Sequence, residues 1–430
     1  MSISVVVPST LTNPSCELAL ASVVSAARTV PDAEVIVVAN GPGPRRNPPA
    51  LADRLVRVVD SHRPGPSAAR NVGLRAARHP IVLFTDDDCL VPPTWCADLA
   101  AGLRRAGTAA AAAPVDVLPA GPVTAFLNHQ RIFHAPALDA TRVKFPLTAA
   151  CAVDRTRTDA VLDERFLEAA GEDAEFGYRI RDGGGEIAWL DVPPVVQLMV
   201  ETVDQVSQRF LAYGRGCALL FLGGRAAHAM PYAHIFYGDL CTGSPAARRR
   251  LRQFRELPDR AAGALFADLE LVVEAATLAG YLAGLGEQLG HPLVDLDREA
   301  LRDGWRRVFD APDESTVDWA DLRPDLALLG GGGEPEPGPN RHRQIGELLR
   351  AHAALRALSP ESRAILETHG LDPELVRANE NARALASSLS GATIAEADRA
   401  LRAAGVPFGY GMLQLEQALS QAPRSVPVPS

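Results

Sequence analysis

Lysine is almost missing from this chain: Lys144 is the sole lysine among 43 basic residues. Nearly all positive charge is arginine, a usage that fits a high-GC genome, as do 34 prolines and long alanine runs. Acidic residues number 52, giving a formal charge of −9. Phosphate backbones call for a basic surface, so nucleic acid is not the expected partner. The six cysteines (Cys16, Cys89, Cys96, Cys151, Cys217, Cys241) are scattered and form no CxxC pair. That argues against a disulfide framework and against a structural zinc site. No run reaches about 18 uncharged apolar residues. The nearest, Leu269–Leu289, is interrupted by Glu270, Glu274 and Glu287. Met1–Pro8 has no basic segment ahead of its apolar run and reads as a strand, not a leader. These absences lead to the expectation of a cytoplasmic protein without a transmembrane segment, with peripheral membrane contact left open.

What is present is a globular composition, 47% hydrophobic and 22% charged over 430 residues. At about 150 residues per domain, that length accommodates two or three domains. Ile3–Val7, Val35–Val38, Leu55–Val59 and Ile81–Phe84 are short, β-branched and almost continuously apolar, as strands buried on both faces are. Between them Cys16–Ala27 and Ser67–Arg78 have helical spacing, with Pro14 and Pro66 where helix starts tolerate proline. Alternation of this kind predicts an α/β fold with a parallel sheet, whose ligands bind at the carboxyl ends of strands.

Beyond about Phe210 the strand pattern fades. Ala246–Leu257, Ala262–Leu289 and Arg298–Phe309 read as helices, as do Arg343–Leu358, Ser359–His369, Pro373–Leu389 and Ala395–Ala404. Gly330–Pro339 (GGGGEPEPGP) suits only a flexible linker. The expected division is a catalytic domain over 1–225, a helical extension over 226–329, a Gly/Pro-rich linker over 330–342, a small helical module over 343–422 and a disordered tail over 423–430.

The most informative stretch is Ile81–Val82–Leu83–Phe84–Thr85–Asp86–Asp87–Asp88. An apolar strand running into three aspartates concentrates negative charge at a strand's carboxyl end, where like charges raise one another's pKa. A divalent cation relieves that crowding, and hard oxygen ligands suit Mg²⁺ or Mn²⁺. The competing explanation is a solvated turn capping a helix near Pro93. Upstream, Gly65–Pro66–Ser67–Ala68–Ala69–Arg70 is a small-residue loop leading into a helix, with free N–H groups and an arginine in reach of an anion. Downstream, Glu172 and Asp173 open a helix whose Phe176 and Ile180 share one face. Carboxylates there are favoured by the helix dipole and equally suit a general base.

In order and spacing, these segments resemble a family 2 glycosyltransferase of the GT-A fold over roughly Ser4–Gly216. SVVVPS resembles the opening nucleotide-binding strand, and VIVVANG the second strand with its base-contacting turn. GPSAARNVGLRAARHPIVLFTDDD resembles the segment that ends in the DxD motif. LTAACAVDR and LDERFLEAAGEDAEFGYRIRDGG resemble the acceptor-side segment with its ED motif, and QRFLAYGRG the stretch that closes the catalytic domain. The implied fold is a Rossmann-like GT-A domain followed by helical regions.

The resemblance also implies roles. Pro8 and Ser9 would lie beside the nucleotide base, with Asn40 at the second-strand turn and Arg70 near the nucleotide or its diphosphate. Asp86 would contact ribose or sugar and, paired with Asp88, the metal; Asp87 would serve the diphosphate side. Asp173 would be the general base and Glu172 its neighbour. The implied activity is inverting, metal-dependent transfer of one sugar from a nucleotide-sugar, a UDP-sugar favoured, with Mn²⁺ or Mg²⁺ as cofactor. The acceptor is open among natural product, peptide and glycan, and a homodimer is among the assemblies allowed.

The chain departs from the family pattern twice. Ala39–Asn40 stands where many members carry an acidic residue, which leaves the base open among uracil, thymine and guanine. Gln197 stands where many carry a histidine, implying weaker or different metal use. A QxxRW-type motif is absent, which favours single transfer over polymerisation. A sugar-nucleotide nucleotidyltransferase would need a glycine- and lysine/arginine-rich loop that SVVVPSTLTNPS does not supply. A binding protein that had lost catalysis is opposed by the retained aspartates.

Other features carry weaker expectations. The pairs His129/His134 and His228/His234 lack metal-motif spacing. Arg248–Arg250, Arg252 and Arg255 read as a solvated face, with anionic-lipid contact the alternative. Gly183–Gly185 reads as the turn after the ED helix, and Tyr213–Gly216 as either a diphosphate lid or helix packing.

Overall fold

The computed structural model describes residues 2–42, 44–118, 121–199, 201–225, 253–254, 256–290, and the positions 295, 296, 299, 353 and 354. The chain divides into two compact units, with Met1–Val206 in the first and Ser207–Asp310 in the second. The expected Gly/Pro-rich linker, the small helical module and the tail lie outside the described residues, apart from 353 and 354. So do Cys241, the His228/His234 pair, the Arg248–Arg255 cluster and nearly all of Arg298–Phe309.

In the first unit, β1 (Ser2–Ser9), β2 (Asp32–Ala39), β3 (Val56–Asp60) and β4 (Ile81–Phe84) form as expected. The helices α1 (Cys16–Ala27) and α2 (Pro66–Ala76) connect them. The chain continues through β5 (Cys89–Leu90), α3 (Trp95–Ala106), β6 (Ala110–Ala112), β7 (Val115–Val117) and α4 (Pro122–His129). Then come β8 (Cys151–Asp154), α5 (Glu172–Asp182), β9 (Ile187–Trp189) and β10 (Val195–Gln197). The main sheet has seven strands in the order β3-β2-β1-β4-β8-β6-β9.

The four strands expected from sequence pair parallel, as predicted, and the later β8 makes the sheet mixed. β8 runs antiparallel to both β4 and β6, while the neighbouring pairs β3–β2, β2–β1, β1–β4 and β6–β9 are parallel. This is a GT-A-like α/β architecture. The long excursion from β7 to β8 brings the chain back reversed, a path that strand composition does not encode. Alternating residues feed two cores. Val5, Val7, Val35 and Val37 pack with Leu20, Trp95 and Leu99 on one face. Val6, Ile36, Val38, Val82 and Phe84 pack with Leu74, Phe176 and Ile180 on the other. A smaller sheet, β5-β10-β7, pairs Gln197 with Cys89.

The helix α6 (Val203–Leu222) contains the division between units, and the second unit continues with α7 (Arg260–Leu289). α7 carries the expected Ala262–Leu289 segment, N-capped by Asp259 through the N–H groups of Ala261 and Ala262. Gly214 of α6 sits against the Thr277 carbonyl, and Gly280 of α7 against that of Leu211. No helix among the described residues is long and apolar enough to cross a membrane.

Candidate active site

Strand directions gather the sequence-predicted residues at one edge. β1 ends at Ser9, β2 at Ala39 and β4 at Phe84, and antiparallel β8 starts at Cys151 opposite Phe84. The order places β1 between β2 and β4, a switch point of the kind at which α/β sheets open a ligand crevice. Helix α2 begins at this edge after Gly65, whose φ of +97° and close neighbour Leu167 Cα (3.0 Å from an added Cβ) both call for glycine.

Arg70 is the centre of the cluster. Only 3% exposed, it donates from Nη2 to Asp86 Oδ1 at 2.7 Å and from Nη1 to Glu172 Oε1 at 3.1 Å. One guanidinium thus joins the acidic loop after β4 to the first turn of α5. Its burial takes Arg70 off the helix surface and into the site. Its Nε is buried without a hydrogen-bond partner. Burial works against its charge, yet the carboxylates of Asp86, Glu172 and Asp173 hold it more firmly protonated than a free arginine.

Asp173 lies beside Glu172 on α5, after Gly171 in a left-handed conformation. Thr148 donates to it twice, from Oγ1 to Oδ1 at 2.7 Å and from its backbone N–H to Oδ2 at 3.2 Å. Burial raises the Asp173 pKa, against the lowering pull of Arg70 and Thr148. Glu172 is raised as well, first by burial and then by the Asp173 charge. Sequence reasoning missed Thr148; in LTAAC it is one polar residue amid small apolar ones, with no spacing that singles it out.

The other expected residues fall around this pair. The Ser9 hydroxyl donates to Asp87 Oδ2 and accepts the Leu11 N–H at 2.9 Å. Asp87 is pushed up to about 7 by burial, reinforced by the Asp88 and Asp86 charges and opposed by the Ser9 bond. Asn40 donates from Nδ2 to the Gly65 carbonyl at 2.6 Å, and its backbone N–H donates to the Ser9 carbonyl at 2.8 Å. Pro8 is half-buried at the β1 end. Asn71, also missed, is buried and exchanges hydrogen bonds with the Leu162 backbone, fixing the segment ahead of α5 onto α2.

Asp86, Asp88 and Cys89 bring one ligand atom each within 4.8 Å of one another. The two carboxylates supply the hard oxygens that a divalent cation takes. Cys89 does not fit as a thiolate: burial, with the Asp88 and Asp86 charges, pushes its pKa well up. It instead donates to Asp88 Oδ1 at 3.4 Å. Across the small sheet, Gln197 Nε2 donates to Asp88 Oδ2 at 3.0 Å.

Residues 4–154 match the model of the family described as Glycosyl transferase family 2. Over this segment the chain is similar to family 2 glycosyltransferases. The segment contains β1 through β8, hence Pro8, Ser9, Asn40, Arg70, the three aspartates and Thr148, and it stops short of Glu172 and Asp173. No curated protein matches the chain in sequence. Similar solved structures include Staphylococcus aureus TarS, at 15% identity and a TM-score of 0.37 over 66% of this chain and 55% of that one. The chain thus spans about half of that TarS structure. TarS residues 1–349 in complex with UDP-GlcNAc match at 15% identity and a TM-score of 0.39, over 68% of this chain and 93% of that one. GalNAc-T7 with UDP, GalNAc and Mn²⁺ matches at 17% identity and a TM-score of 0.35, over 50% and 47%.

Proposed function

We propose that this glycosyltransferase moves one sugar, with inversion, from a nucleotide-sugar to an acceptor hydroxyl, with Asp173 as general base. The observation that carries the proposal is the Arg70 bridge between Asp86 and Glu172. It ties the acidic loop to the carboxylates that open α5, as a reaction with a metal-diphosphate side and a proton-accepting side requires. The favoured donor is a UDP-sugar. Pro8, Ser9 and Asn40 face the nucleotide, Asp86 the ribose or sugar and Asp87 the diphosphate. Asp86 and Asp88 would hold Mn²⁺ or Mg²⁺, which would supply positive charge to offset that of the departing nucleoside diphosphate.

Chemically, the acceptor O–H proton passes to an Asp173 carboxylate oxygen as the acceptor oxygen bonds to the anomeric carbon. The bond from that carbon to the diphosphate oxygen breaks on the opposite face, and its electron pair leaves with the nucleotide. One displacement gives inversion, the logic that applies to single-displacement glycosidases. Thr148 orients the Asp173 carboxylate, and Arg70 keeps Glu172 and Asp86 in register with it.

Calorimetric titration with UDP, GDP and dTDP, each with and without Mn²⁺, tests the donor site. One diphosphate should bind with metal-enhanced affinity that Asp88→Ala removes; absence of binding to all three overturns the assignment. Asp173→Asn should then lower kcat by about 10²–10⁴-fold, the range for lost general-base assistance, while sparing UDP affinity. An unchanged kcat would remove Asp173 from the base role.

A further inference from the structure

We infer that Gln197 is a positioning residue for the metal-binding carboxylate Asp88, holding it in ligating orientation from the neighbouring sheet. The inference rests on the metal reading above and assigns Gln197 a donor's role, not a ligand's. Gln197 is 8% exposed, and its amide donates to Asp88 Oδ2 at 3.0 Å. The Cys89 thiol donates to the other oxygen, Oδ1. The Leu198 N–H reaches the Asp88 backbone carbonyl at 2.6 Å. Backbone and both carboxylate oxygens are therefore fixed from β5 and β10, whose register sets Gln197 opposite Cys89.

An amide suits the task chemically, because Nε2 can only donate and carries no charge to compete with the metal. The Gln197 backbone is anchored, since its main-chain carbonyl accepts the Leu118 N–H at 3.0 Å from the end of β7. Two strands thus brace the donor before any cation arrives. On this basis glutamine here preserves the metal site.

Mn²⁺ affinity, read from the free-ion electron paramagnetic resonance signal with and without saturating UDP, tests this apart from turnover. Gln197→Met keeps side-chain length and removes the donor. It should raise the Mn²⁺ Kd about 10–100-fold, as loss of an outer-shell partner does, with the thermal midpoint held near that of the wild type. Gln197→Ala asks the same question should the methionine variant fail to fold. A Kd changed by less than about twofold, far below that range, overturns the inference while leaving the metal reading intact. Failure of the wild type itself to bind Mn²⁺ overturns both, which separates the two failures.

Discussion

Arg70 shows how one buried cation can set the terms for its neighbours. Its two terminal nitrogens are committed to Asp86 and Glu172, and Glu172 is itself almost wholly buried. Removing the guanidinium strands a carboxylate away from water. Arg70→Met should therefore cost about 3–5 kcal/mol in urea denaturation, the range for breaking a buried ion pair from one side. Arg70→Met with Glu172→Gln should cost clearly less than the sum of the two single changes, because the residues are in contact. Additive losses would show the pair to be energetically independent. Asp173 makes a second prediction at this scale. Its folded pKa lies above the ordinary 3.8, chiefly through burial. Below that raised pKa it is protonated and cannot accept a proton, so the acid limb of kcat/KM should lie above 3.8 and be absent from the residual activity of Asp173→Asn.

Among the elements, legibility in sequence followed hydrophobic pattern. Helix α1 and strand β4 occupy the expected residues because each is a short apolar block between clear breaks. Ala110–Ala112 had no such pattern. Alanine favours helix, yet this triplet is a buried strand between β8 and β9, where the sheet's tertiary pairing overrides propensity. The same limit applied to the site. Asp86, Asp88 and Asp173 stood out by type and spacing, whereas the Thr148–Asp173 bonds join the turn before β8 to α5 and the Gln197–Asp88 bond depends on the register of β10 against β5. The glycines of α6 and α7 extend this to the second unit. Tyr213–Gly216 packs within α6, with Arg215 ion-paired to Glu287 of α7. Gly214→Ala would drive a methyl into the Thr277 carbonyl. It should lower stability by about 1–3 kcal/mol, as overpacking does, read as a fall in thermal midpoint.

For the whole molecule, the acidic edge couples folding to pH. Asp87 holds its proton to about pH 7 when folded, against an ordinary value of 3.8. Over that interval the folded state binds more protons than the unfolded one, so stability falls as pH rises, by at most about 1.4 kcal/mol per pH unit for one proton. Its contribution is complete below the unfolded value and lost once pH passes the folded one. Thermal midpoints of metal-free protein between pH 5 and 8 should show this decline, and Asp87→Asn should flatten it. A slope unaffected by that substitution would assign it to other groups.

The bond between Gln197 and Asp88 spans 109 residues of sequence. During synthesis Asp88 leaves the ribosome long before the residue that steadies it exists. At about 5–20 residues per second, the intervening chain takes on the order of 5–20 s to make. Through that interval β1, β2 and β4 have all been synthesised, while the loop that follows them lacks its partner strand. A newborn chain can thus build its nucleotide-side sheet well before it can set its metal-side carboxylate.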